Sequence, residues 1–69
     1  MSKEEDFFIY LLECYATYKG KPTGEILQEL KKKHLVSFIL NMYEMYHSES
    51  IENAFIDIDN LLLTGKTAW

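Results

Sequence analysis

The chain has 69 residues, 48% of them hydrophobic and 26% charged, with ten aromatics, one cysteine and a net charge of −4. That length admits one domain, the lone Cys14 excludes an internal disulfide framework, and the aromatic content excludes a disordered acidic tail. The longest apolar run, Phe7 to Leu12, is far short of the ~20 residues of a membrane helix, and no secretion-signal pattern is present, so a cytoplasmic setting is expected.

Ser2 followed by Glu5 forms a capping-box signature ahead of an apolar run, and Glu4, Glu5 and Asp6 favour the positive end of a helix dipole. Phe8, Leu11, Leu12, Tyr15 and Tyr18 then recur at three- and four-residue steps, while Phe7, Ile9 and Tyr10 fill much of the remaining circumference. This predicts a first helix, apolar nearly all round and so central to the domain, stopping at Gly20. Pro22 forbids immediate resumption, and Thr23 is the expected N-cap of a second helix to about Lys33, with Ile26, Leu27 and Leu30 on one face. The break after it is weakly signalled, because His34-Leu35-Val36 holds neither Gly nor Pro. Ser37 is the candidate cap of a third helix to about His47, with Phe38, Ile39, Met42, Met45 and Tyr46 inward. Ser48 or Ser50 is the expected cap of a fourth, in which Ile51, Phe55, Ile58 and Leu62 form an apolar stripe. Asp57 and Asp59 are expected on its solvent side.

The predicted fold is all-α: a compact bundle of four short helices with a helix-turn-helix-like middle, residues 1–63, followed by a flexible tail, 64–69. Its expected core is Phe8, Leu11, Leu12, Tyr15, Leu30, Phe38, Met42, Phe55, Ile58 and Leu62. A domain this small buries only ~60% of its unfolded surface, so it relies on dense aromatic packing, self-association or a partner.

Few residues carry a chemical signature. Gly65-Lys66-Thr67 looks like the close of a phosphate loop, but Asn60 stands where that motif begins with glycine, and the strand–loop–helix context is missing. Asp57, Asp59 and Asn60 open like a calcium loop, but Leu62 and Ala68 occupy the positions of its glycine and glutamate. His34, His47, Glu44, Glu49 and Cys14 lack the close ligand spacing of a zinc site. Cys14 reads as a small packed hydrophobe. His47 reads as a donor to the last carbonyls of its helix or a partner for a nearby acid. No catalytic site, metal or cofactor is expected, and the chain is read as a non-enzyme.

Charge is segregated along the chain, with a net −3 over residues 1–18, +3 over 19–34 and −4 over 35–69. Lys31, Lys32 and Lys33, joined by Lys19 and Lys21, are candidate phosphate contacts for a DNA-binding reading. Against it, the sequence has no arginine for bidentate guanine readout, and residues 37–47 carry no Lys. Tyr43, Met42, Met45 and Tyr46, with Tyr10, Tyr15 and Tyr18 on the first helix, exceed what so small a core can absorb. A protein partner or a homodimer is therefore expected, with Tyr43, Tyr46, His47 and Trp69 as candidate contacts. Non-enzymatic protein binding is the leading expectation and a small DNA-binding regulator the alternative.

Phe8-Ile9-Tyr10-Leu11-Leu12-Glu13, Gly20-Lys21, Tyr43-Glu44 with Tyr46-His47, Glu52-Asn53-Ala54 and Asp57-Ile58-Asp59 carry a resemblance. In that order and spacing, over about residues 4–63, the chain resembles a family of very small bacterial domains of unknown function. Its most specific part is Tyr-Glu-x-x-His followed ten residues later by Asp-Ile. The resemblance implies a stand-alone Firmicutes protein, often encoded beside an ADP-ribosyltransferase-like toxin domain, and so an accessory partner of antitoxin or immunity type. It brings no catalytic residues.

Overall fold

The computed structural model describes residues 2–66, and 82% of these are helical. Among the described residues there are five helices: α1 Lys3–Lys19, α2 Thr23–Lys32, α3 Val36–Asn41, α4 Tyr43–Ser48 and α5 Ile51–Thr64. The fold class is as expected, but the helix count is five rather than four. The predicted third helix is divided at Met42, whose backbone (φ −90°, ψ 11°) lies in the bridge region. Its N–H reaches back three residues to the Ile39 carbonyl at 3.1 Å, tightening the last turn of α3. Its own carbonyl then accepts from the Tyr46 N–H at 2.9 Å and starts α4.

The chain stops are built from hydrogen bonds that name their own residues. At the end of α1, Gly20 is left-handed (φ 69°), Lys21 N–H bonds to the Ala16 carbonyl and Gly20 N–H to that of Thr17. That pair is a Schellman motif, and the glycine is needed for its φ. The same pair recurs after α2: Leu35 N–H bonds to Leu30 and His34 N–H to Lys31, at 2.9 and 3.1 Å. Here the left-handed residue is His34, at φ 58°. This second stop separates α2 from α3 without a glycine, which is why the sequence signals it weakly. Gly65 (φ 78°) closes α5 through one bond to the Leu61 carbonyl, so it serves as a helix terminator.

The capping box at Ser2 and Glu5 forms as expected. The other caps shift. α2 begins at Thr23 itself, and the Pro22 carbonyl takes the first bonds, from Glu25 and Ile26. α3 begins one residue ahead of Ser37. Ser50 precedes α5 without a side-chain cap, and Ser48 instead donates back to the Glu44 carbonyl at 2.7 Å.

α1 packs against α2, α3 and α4, the central role its apolar circumference predicts. The buried core is Leu11, Leu12, Tyr15, Ala16, Ile26, Leu30, Leu35, Ile39, Tyr46, Ala54, Ile58 and Leu61. Of the expected core, Phe8, Phe38, Met42, Phe55 and Leu62 are only partly buried and pack at its edge. Tyr15 and Tyr46 are the large side chains of the interior, and Ala16 and Ala54 are buried beside the aliphatic residues. A radius of gyration of 10.9 Å matches the ~11 Å of a globular chain this long. Among the described residues no helix is long and apolar enough to cross a membrane. Thr64, expected in the tail, closes α5; residues 67–69, Trp69 among them, lie outside the described residues.

Candidate functional site

Helical periodicity places Tyr10, Glu13, Cys14, Thr17 and Tyr18 on one side of α1. Phe55 of α5 stands beside them, its ring stacked on that of Tyr18 at 4.9 Å and 19°. Together these six residues line an open groove of about 620 Å³. Tyr10 and Tyr18 are 56% and 61% exposed. Ile9, Ile56 and Leu63 add further exposed apolar surface on the same two helices. α1 is thus both the hub of the core and the wall of an open aromatic groove. The groove floor holds the half-buried Cys14 thiol, which also raises the neighbouring Tyr10 phenol above its usual value by hydrogen bonding. Cys14, expected as a packed hydrophobe, is therefore partly accessible.

Below this face, two buried phenols anchor α5. Tyr46 is 2% exposed, and its hydroxyl donates to Asp57 Oδ2 at 2.9 Å. Tyr15, equally buried, donates to Asp59 Oδ1. Lys19 Nζ lies 3.2 Å from that same oxygen and near the rings of Tyr15 and Tyr18. Asp57, expected toward solvent, instead turns inward and is only 6% exposed, whereas Asp59 stays partly exposed, accepting from Tyr15 while paired with exposed Lys19. Burial, then the carboxylate acceptor, pushes both phenols well above their usual range. Among the described residues no buried side-chain nitrogen or oxygen lacks a hydrogen-bond partner.

The remaining expected contacts fall elsewhere. Tyr43 and His47 stack at 4.3 Å with their planes 2° apart, and Phe7 meets both edge-on. His47 Nδ1 lies 2.9 Å from the Tyr43 carbonyl. A carbonyl can only accept, so Nδ1 donates, but to the carbonyl of the first residue of α4 rather than to the last carbonyls of its helix or to an acid. Tyr46 is buried and offers almost no surface to a partner. Of the three described residues expected at a partner surface, Tyr43 is half-buried and only His47 is exposed.

The five lysines are not one patch. Lys19 and Lys21 line a shallow cavity that also holds Glu29 and Asp59, whereas Lys31 lines another with His34, Val36 and Ser37. Lys31, Lys32 and Lys33 are all exposed at the end of α2. Among the described residues, no three His, Cys, Asp or Glu side chains are grouped to hold a metal ion.

The groove was missed because each member has a simpler reading. Tyr18 continues the stripe of Tyr15, and Phe55 that of Ile51 and Ile58. The usable signal is the spacing Tyr10, Cys14, Tyr18 around Glu13 and Thr17, a face of mixed aromatic and polar residues opposite Leu12 and Ala16.

No curated protein and no solved structure matches the chain in searches of either. Residues 6–64 match the family described as "Protein of unknown function (DUF3791)", nearly the whole helical unit, and the chain belongs to that family.

Proposed function

We propose that this chain is a cytoplasmic, non-enzymatic protein-binding module whose docking face is the α1–α5 groove. One observation carries the reading: Tyr10 and Tyr18, each more than half exposed, line one open groove with the partly buried Phe55. Contiguous exposed apolar patches on small proteins mark interaction sites, and tyrosine is enriched there. The partner in view is a neighbour-encoded protein, of the toxin type suggested by the sequence resemblance, with this chain as its antitoxin or immunity protein. The DNA-binding alternative has less support. α3 and α4 are six-residue helices without lysine, and Lys19 is already paired with Asp59.

The test is a tagged pull-down from the native host, with light scattering on the purified protein and Tyr10→Ala/Tyr18→Ala as the control. One stoichiometric partner, lost with the double substitution, is the expected result. A lone monomer that captures nothing overturns the reading, and a mobility shift at low salt that weakens on Lys31–Lys33→Glu replaces it with the DNA-binding alternative.

A further inference from the structure

The charge around the groove specifies its occupant. α1 and α5, which form its walls, carry seven acids against two lysines. One of those lysines, Lys19, is engaged by Asp59. Asp6 lies one turn before Tyr10 on the groove side of α1, Glu13 lies within the lining, and Glu52 lies one turn before Phe55. All three are exposed; Lys3, a further turn back, is the one cation on that line of α1. An apolar cleft rimmed by carboxylates is complementary to an apolar stripe rimmed by cations.

The spacing fits a helix. Tyr10 and Tyr18 are eight residues apart, about 12 Å along α1. Apolar anchors at i, i+3/i+4 and i+7 of a docked helix span about 10.5 Å, close to that distance and the usual pattern of helix-in-groove recognition. A second copy docking groove to groove would set Asp6, Glu13 and Glu52 against the same acids, a like-charge arrangement that disfavours a two-fold dimer through this face. From this geometry we infer that the groove takes a cationic amphipathic helix of the partner protein, with apolar residues inserted between Tyr10, Tyr18 and Phe55 and Lys or Arg opposite Asp6, Glu13 and Glu52. This rests on the proposal that the chain is a protein-binding module.

The experiment titrates isotope-labelled protein with two synthetic amphipathic peptides of about five helical turns. They share one leucine stripe and differ in having lysine or glutamate on the polar face. The lysine peptide is expected to shift the amide signals of Tyr10, Glu13, Cys14, Thr17, Tyr18 and Phe55. The glutamate peptide should bind at least about tenfold more weakly, as should the lysine peptide to Tyr18→Ala or to Asp6→Lys/Glu13→Lys/Glu52→Lys. All four positions are exposed, and unchanged melting curves establish that the variants fold. Shifts centred outside the groove, equal affinity for the two peptides, or no binding of either overturns the inference. So does a groove-mediated dimer that Tyr18→Ala dissolves.

The host partner separates this inference from its parent. Capture that survives the triple charge reversal but not Tyr10→Ala/Tyr18→Ala keeps the docking face and rejects a cationic occupant. Capture that survives both keeps protein binding and rejects the groove. Capture of nothing rejects the module itself.

Discussion

Asp57 and Asp59 straddle Ile58, and each accepts from a buried tyrosine of a different helix, Tyr46 of α4 and Tyr15 of α1. Such pairs matter for specificity because a phenol buried without an acceptor loses its hydration with nothing in return. Tyr46→Phe removes the donor while keeping the ring, so a loss of about 1–2 kcal/mol is expected in urea unfolding. A double-mutant cycle with Asp57→Asn should give a coupling of at least about 0.5 kcal/mol; additive effects would mean the two groups do not act together. In the sequence, the Asp-Ile-Asp pattern reads as polar residues flanking a buried one. Only the positions of Tyr15 and Tyr46 in three dimensions show that the carboxylates have partners inside. Side-chain pairs separated by 11 and 44 residues leave no local trace. By contrast, the Ser2–Glu5 box and the Gly20 stop were legible because every atom they need lies within a few residues.

At the level of the helices, the least regular position is His34. It holds the left-handed conformation that ends α2, at φ 58°, where a side chain costs ~1–2 kcal/mol that glycine avoids. Glycine gives part of this back as unfolded-state entropy. His34→Gly is therefore expected to raise stability by about 0.5–1 kcal/mol and the melting temperature by a few degrees. His34→Val, branched at Cβ, should lower both. A melting temperature unchanged by either substitution would show that the strain is relieved elsewhere. Leu30 and Leu35, whose backbones form the outer bond of this stop, both lie in the core, so the turn is held by burial as well as by hydrogen bonding. That explains how a connection without Gly or Pro can still be sharp. The division of the third predicted helix at Met42 was illegible for a related reason. Residues 41 and 42 hold neither Gly nor Pro, and Ile39 and Tyr46, on either side of the bend, both lie in the core.

Across the whole molecule, the excess of aromatics anticipated from composition is distributed between two tasks. Tyr15 and Tyr46 are interior anchors, whereas Tyr10 and Tyr18 border the groove. Composition could forecast the surplus but could not say which tyrosines form it, since all recur at helical spacing. Leu63, 82% exposed, buries almost none of its side chain, so Leu63→Ser should change stability by no more than about 0.5 kcal/mol. The interior group makes a global prediction about alkali. Tyr15 and Tyr46 keep their protons in the folded protein to higher pH than in the unfolded chain, whose phenols titrate near 10. Below pH ~10 both states are protonated and this stabilisation is fully present. Above it the unfolded chain releases protons that the folded one retains, so stability falls as pH rises. The slope should approach about 2.7 kcal/mol per pH unit for the two phenols together, and about half that in Tyr46→Phe. Urea midpoints measured from pH ~9 to ~11 check both values. A flat profile, or an equal slope in the variant, would mean that the interior tyrosines ionise without unfolding the protein.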